Sequence, residues 1–310
     1  MSTSLPLDQD LKLSLQALQR SLHKFLSGKE DMADIIIACL VSGGHILLED
    51  VPGVGKTTFI KALAQLIGLS MKRIQFTSDL LPSDILGVQI YDQDEKAFTF
   101  HEGPIFANIV LADELNRASP KTQSALLEAM GERSVTVDRK TRKLPSPFFV
   151  VAAQNPSDHM GTFPIPESQM DRFSVKIKLD YPSNSKEIEI FSEASQNPLQ
   201  GVEEGIILRE QLIQIQGAVD SVHVGEEVVK CVKAVVDASR DHEDVQLGVS
   251  TRGGVHWVRL SKGLALLKGR DFVTPDDLIE TSIYCLQHRL VFHNQASELV
   301  VEDLMKKMVI

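Results

Sequence analysis

In residues 8–26 the apolar positions Leu11, Leu15, Leu18, Leu22 and Phe25 recur at a spacing that gathers them on one side of a helix. A second helical run, 32–41, leads into a short apolar stretch at 45–49. Further strand candidates follow at 72–76, 109–113, 148–152 and 174–179. Several are nearly continuous apolar runs, the pattern of parallel strands covered on both faces. Helical patterns lie between them, notably 120–131, where Ala125, Leu126, Ala129 and Met130 form an apolar stripe. Strand alternating with helix predicts an α/β domain built on a parallel five-stranded sheet with helices on both sides.

Two stretches break that rhythm. Residues 88–100 alternate apolar and polar around an Asp/Glu-rich turn and read as a β-hairpin insertion. Residues 134–147 read as a second hairpin, with a basic tip at Arg139, Lys140, Arg142 and Lys143. Such a tip is either a solvated turn or a contact loop for a partner or an acidic polymer. After Tyr181-Pro182-Ser183-Asn184 the periodicity is helical throughout, with candidate helices at 185–195, 206–216, 225–240, 251–267, 275–288 and 296–308. Thr274 followed by Pro275 is a helix start, a capping residue before proline at the first helical position. The chain therefore divides near residue 183 into an α/β domain, 1–183, and an all-α domain, 184–310.

Composition narrows the function. A length of 310 residues suits two domains, and 43% hydrophobic residues are enough to bury a core in each. The net charge of −10 argues against general coating of nucleic acid, which needs a basic surface. Cys39, Cys231 and Cys285 lie far apart in apolar contexts and read as reduced core residues of a cytoplasmic protein. The start, MSTSLPLDQD, lacks the basic-then-apolar pattern of a signal peptide, and no apolar run reaches membrane-spanning length.

The chemistry begins at residues 46–58, ILLEDVPGVGKTT. An apolar strand, a Pro52-Gly53 turn, Val54, and then Gly55-Lys56-Thr57-Thr58 make the layout of a phosphate-binding loop opening a helix. Such a loop turns backbone N–H groups toward one point at the positive end of the helix. Lys56 supplies a mobile charge for the β- and γ-phosphates, and the Thr57 hydroxyl is placed to ligate Mg²⁺. One position departs from the common pattern, with Asp50 standing where glycine is usual. The second signal is Ile109–Asp113 followed by Glu114. A buried strand ending this way sets one carboxylate, Asp113, beside the metal and another, Glu114, where an attacking water sits.

With EDVPGVGKT, GPIFANIVLADELNRASPKTQSALLEAMGERSVTV, AAQNP, IPESQMDRFSVKIKL and STRGG in that order, the chain resembles the AAA+ ATPases and, within them, the MoxR family, over about residues 30–310. Asp50 fits that family, whose loops commonly carry Glu-Asp or Glu-Gly before Val-Pro-Gly. The resemblance implies a P-loop AAA+ core followed by a helical lid, a ring assembly of six subunits, and hydrolysis of ATP with Mg²⁺. It implies that Asn155 positions the attacking water with Glu114. It makes Arg172 the arginine finger that reaches the γ-phosphate of the neighbouring subunit. Arg252 matches the second sensor arginine and would contact nucleotide on its own or an adjacent subunit, although Thr251-Arg252-Gly253-Gly254 stands where Pro-Arg-Ala is more common. Asn116 and Arg117 would tune the site or line the subunit interface. The hairpins coincide with two insertions that face the central channel or one face of the ring.

The resemblance further implies chaperone-like remodelling or maturation of a client, together with a partner carrying a von Willebrand factor A domain. Two other readings compete. One is a helicase-like ring motor on nucleic acid, which the acidic balance opposes. The other is a nucleotide-dependent switch or scaffold with little turnover, which Glu114 and Arg172 oppose.

Overall fold

The computed structural model describes residues 7–26, 28–50, 56–155, 161–179, 201–293 and 297–307, with Ile188, Ser192 and Leu199 as isolated positions. In chain order the elements begin with α1 (Gln9–Phe25), α2 (Glu30–Val41), β1 (Ile46–Asp50), α3 (Lys56–Leu66), β2 (Met71–Gln75) and α4 (Pro82–Leu86). Next come β3 (Gly87–Asp92), β4 (Ala97–Glu102), β5 (Ile109–Asp113), α5 (Pro120–Glu132), β6 (Ser134–Val137), β7 (Lys140–Lys143), β8 (Phe149–Gln154), α6 (Glu167–Met170) and β9 (Val175–Leu179). The last are α7 (Arg209–Ser221), α8 (Glu226–Asp241), β10 (Val245–Leu247), α9 (Thr251–Leu267), α10 (Pro275–Leu286), β11 (Val291–Phe292) and α11 (Ser297–Lys306).

The sheet runs in the order β2-β5-β8-β1-β9. Parallel pairing sets Gln75 beside Asp113 and Ala112 beside Ala152. Every residue of β5 is buried, as are the first five of β8, because these strands are covered on both faces. From β1 the chain crosses to β2 at the far edge, while β9 returns to the other side of β1. Such a reversal opens a crevice at the carboxyl ends of the strands, where open α/β sheets bind ligands. Helix α5 starts on the Ser119 side chain, which accepts from the Thr122 N–H, with Pro120 in the first turn. Both hairpins are present as β3–β4 and β6–β7. Gly87 opens the first at φ +96, where an added Cβ would lie 2.4 Å from the His101 carbonyl oxygen.

The chain packs as two compact units, one of residues 47–172 and 178–204, the other of residues 1–46, 173–177 and 205–310. Helices α1 and α2, placed with the α/β domain by the sequence reading, thus group with the helical segment, where α2 packs on α9 and α7. The reason is visible in α2, buried at Ala33 and at every residue from Ile35 to Val41, so that it needs neighbours on more than one side. The boundary at 183 and most of the candidate helix 185–195 lie outside the described residues. The helical unit also holds a short antiparallel pair, β10–β11, too brief for sequence periodicity to reveal. No helix among the described residues is long and apolar enough to cross a membrane.

Candidate nucleotide site

Lys56 opens α3, and the parallel strand β5 ends beside it at Asp113. Lys56 Nζ lies 2.9 Å from Asp113 Oδ1, with the carboxylate side chain only 3% exposed. Oδ1 is nonetheless a buried oxygen with no hydrogen-bond partner among the described residues. The other oxygen, Oδ2, accepts from Arg73 on β2, at 2.6 Å from Nη2 and 3.2 Å from Nε. Parallel register explains that reach, since Arg73 pairs with Leu111 and Gln75 with Asp113.

Glu114 leaves the strand in the left-handed region, φ 57 and ψ 43, uncommon for a residue with a side chain. The kink ends β5 and starts a 3₁₀ turn, Leu115–Arg117. Glu114 Oε2 accepts from Gln75 Nε2 at 2.7 Å and faces Arg117 Nε at 3.3 Å. Gln75 in turn accepts on Oε1 from Arg73 Nη2 at 2.6 Å, so one chain of contacts links Asp113 to Glu114. Asn155 follows β8, the neighbour of β5 in the sheet, and its carbonyl oxygen accepts from Asn116 Nδ2 at 3.2 Å. At the same end of the sheet, Gln154 Nε2 donates to Glu49 Oε1 on β1 at 3.3 Å.

Lys56, Asp113 and Glu114 are therefore gathered at one end of the sheet, with Asn155 on the adjoining strand end. Thr57 and Thr58 lie half-buried in the first turn of α3, and the Thr57 hydroxyl has no hydrogen bond among the described residues. Pro52, Gly53, Val54 and Gly55 lie outside the described residues. Arg172 stands apart from this group. Its Nη1 donates to the Leu127 carbonyl oxygen at 2.8 Å, against the last turn of α5. Gly131 makes room for it, because a Cβ there would sit 2.3 Å from Nη1. Arg252, in the other unit, is exposed on the first turn of α9, a helix capped by Ser250 Oγ accepting from the Gly253 N–H.

The donor set fits Mg²⁺. The buried Asp113 Oδ1 and the Thr57 hydroxyl, neither with a hydrogen bond among the described residues, are hard oxygens, which that ion prefers. Among the described residues no cluster of three or more His, Cys, Asp or Glu forms a metal cage. Mg²⁺ held by a carboxylate and substrate phosphates needs none. Arg73 and Gln75 were missed by sequence reasoning. Their signal is two polar residues at alternate positions, on one face of a strand expected to be covered.

Residues 45–175 match the model of the ATPase family associated with various cellular activities (AAA), and residues 237–308 match the AAA lid domain. Protein YeaC of Bacillus subtilis is 44% identical over 96% of this chain and 95% of its own length. Chaperone MoxR1 of Mycobacterium tuberculosis is 39% identical over 91% of this chain and 78% of its own. The crystal structure of a candidate ATPase from Cytophaga hutchinsonii superposes with a TM-score of 0.87 at 34% identity, covering 96% of this chain and 94% of that one. An α/β core matching the AAA model, a helical segment matching the AAA lid model, and near full-length relatives of this kind place the chain in the MoxR family of AAA+ ATPases.

Proposed function

We propose that this protein hydrolyses ATP to ADP and phosphate in a Mg²⁺-dependent reaction, as a subunit of a six-membered ring that remodels or matures a client protein. The observation that carries the reading is the pairing of Lys56 with Asp113, with Glu114 next in sequence, at the carboxyl end of a parallel sheet. Lys56 and the backbone N–H groups from Gly53 to Thr58 bind the β- and γ-phosphates at the positive end of α3. Thr57 and Asp113 would hold Mg²⁺, which when bound supplies charge neutralisation to the phosphate oxygens. Glu114 takes the proton of a water as its oxygen attacks the γ-phosphorus, and the bond to the β–γ bridging oxygen breaks. Asn155 helps orient that water. Arg172, by analogy with the arginine fingers of related enzymes, serves the neighbouring subunit, a contribution of about 10³–10⁵ in rate. Arg252 couples the lid to nucleotide state.

The chaperone name of the Mycobacterium tuberculosis relative supports action on a client protein. A partner with a von Willebrand factor A domain and a cytoplasmic location are the remaining parts of the proposal. Hairpin β3–β4 supports partner contact through exposed Val88, Ile90, Tyr91 and Phe98. The test is Glu114→Gln. Loss of the general base should lower turnover by about 10²–10⁴ while nucleotide binding persists. Unchanged turnover would refute the assignment of Glu114, and stimulation of wild-type turnover by DNA would favour a nucleic-acid motor instead.

A further inference from the structure

Asp113 has two cationic partners among the described residues, Lys56 on Oδ1 and Arg73 on Oδ2. The arrangement poses an electrostatic problem for a phosphate-binding lysine. To reach phosphate, Lys56 must give up at least part of its pairing with a carboxylate that is 3% exposed. A buried carboxylate stripped of a sole cation is strongly disfavoured. If Lys56 alone countered Asp113, nucleotide would have to bind against that penalty. Arg73 approaches from β2, its side chain 49% exposed, and grips Oδ2 through Nη2 and Nε, leaving Oδ1 to Lys56.

We propose that Arg73 is a positioning residue that frees Lys56 for nucleotide. It keeps Asp113 neutralised from the strand side while the lysine exchanges carboxylate for phosphate. The same guanidinium also fixes Gln75. Arg73 Nη2 donates to Gln75 Oε1 at 2.6 Å, so the amide nitrogen of Gln75 is the end that faces Glu114 Oε2 at 2.7 Å. A single arginine therefore orients both carboxylates of the site. The inference rests on the nucleotide reading of Lys56.

The proposal makes a demand that a merely structural role would not. With Mg²⁺ bound, Asp113 has another compensating charge, and the loss of Arg73 is partly masked. Without Mg²⁺ the loss is felt in full. Titration of the full chain with a fluorescent ATP analogue, in EDTA and in Mg²⁺, measures the difference. Arg73→Ala should weaken binding by about tenfold or more beyond its effect in Mg²⁺ when the metal is removed. Arg73→Lys, which restores the charge, should recover most of the metal-free affinity. Arg73→Gln, which keeps a donor without the charge, replaces the alanine variant if that one fails to fold.

A second readout needs no nucleotide. In thermal melts of the free protein, combining Arg73→Ala with Lys56→Ala leaves Asp113 with no cationic partner among the described residues, so the fall in Tm should exceed the sum of the single effects. Equal losses of affinity with and without Mg²⁺, no loss at all, or additive melts would overturn the proposal while leaving the ATPase reading intact. A wild-type chain that binds the analogue under neither condition would overturn both.

Discussion

His288 gives the helical unit a pH dependence that can be worked from its surroundings. It sits in the 3₁₀ turn after α10, with Nε2 3.0 Å from the Phe173 carbonyl oxygen and 2.9 Å from Arg289 Nη1. Nδ1 is buried without a hydrogen-bond partner among the described residues. In either tautomer, a second proton would create an imidazolium against a buried guanidinium. Burial, then the Arg289 charge, therefore holds the His288 pKa well below its ordinary value, and Lys176 and His256 add to the effect while the Phe173 carbonyl opposes it. Arg289 is fixed there by its own carbonyl acceptors, with Nη2 2.6 Å from Phe173 O and Nη1 3.3 Å from Ser174 O.

The sign follows from proton binding. In the unfolded chain His288 titrates near its ordinary value of about 6.5, while in the folded chain it stays neutral to lower pH. Below about pH 6.5 the unfolded state binds the extra proton, so stability is fully present above that pH and is lost as pH falls. One proton corresponds to about 1.4 kcal/mol per pH unit once protonation of the unfolded chain is complete. Between pH 7 and pH 5.5 the loss is about 1 kcal/mol, since titration is only beginning at the upper end. Urea denaturation of wild type and His288→Gln across that range isolates the contribution, because every other histidine is shared. Stability of the variant should fall about 1 kcal/mol less than that of wild type. Parallel pH profiles would mean that His288 accepts a proton in the fold and would refute the account.

The remaining predictions concern packing, a buried ion pair and a surface. At Gly263 a Cβ would stand 2.5 Å from the Ala38 carbonyl oxygen, where α9 crosses α2. Gly263→Ala should therefore destabilise by about 1–3 kcal/mol in chemical denaturation, despite alanine's better helix propensity. Asp277 is fully buried and accepts from Arg270 Nη1 at 2.7 Å and from the Thr274 N–H at 2.9 Å. Burial pushes its pKa up, but these hydrogen bonds win and hold it below the ordinary value. Asp277→Ala should cost about 3 kcal/mol at pH 7, less than a fully buried pair because Arg270 keeps some exposure. That difference should shrink only below about pH 4, as wild type loses the same charge. Tyr91 and Phe98 stack edge to face at 5.3 Å on β3–β4 while remaining half or more exposed. Replacing both with Ser should leave Tm within about 1 °C and shift self-association or partner binding by analytical ultracentrifugation.

Much of the fold is legible because burial and period coincide. Strand β5 reads directly from its apolar run, all of it buried, and α5 from the stripe of Ala125, Leu126, Ala129 and Met130. Strand β2 is harder. Its segment buries only Ile74 and leaves Lys72, Arg73 and Gln75 exposed, because it lies at the sheet edge. Helix α4 and the pair β10–β11 are shorter than the window in which a period can be measured. Periodicity also assigns a face without naming what covers it. The stripe on α1 and the all-round burial of α2 announce packing, yet only the folded chain shows that α9 and α7 supply it for α2.

The site divides along the same line. Lys56, Asp113 and Glu114 are legible as candidates because they stand in short contiguous segments whose strand and helix contexts can be read locally, and the fold sets Lys56 beside Asp113. Arg73 and Gln75 are not, because their meaning depends on register. A shift of β2 by one residue would turn both side chains to the opposite face of the sheet, and no local pattern fixes that shift. Parallel pairing of Gln75 with Asp113 brings the two polar residues beneath the two acids. The charges that govern Lys56 are thus set by a strand whose sequence carries no nucleotide motif. On the proposed nucleotide reading, phosphate affinity depends on β2 as much as on the loop itself, and substitutions at Arg73 should alter it while every motif residue stands unchanged.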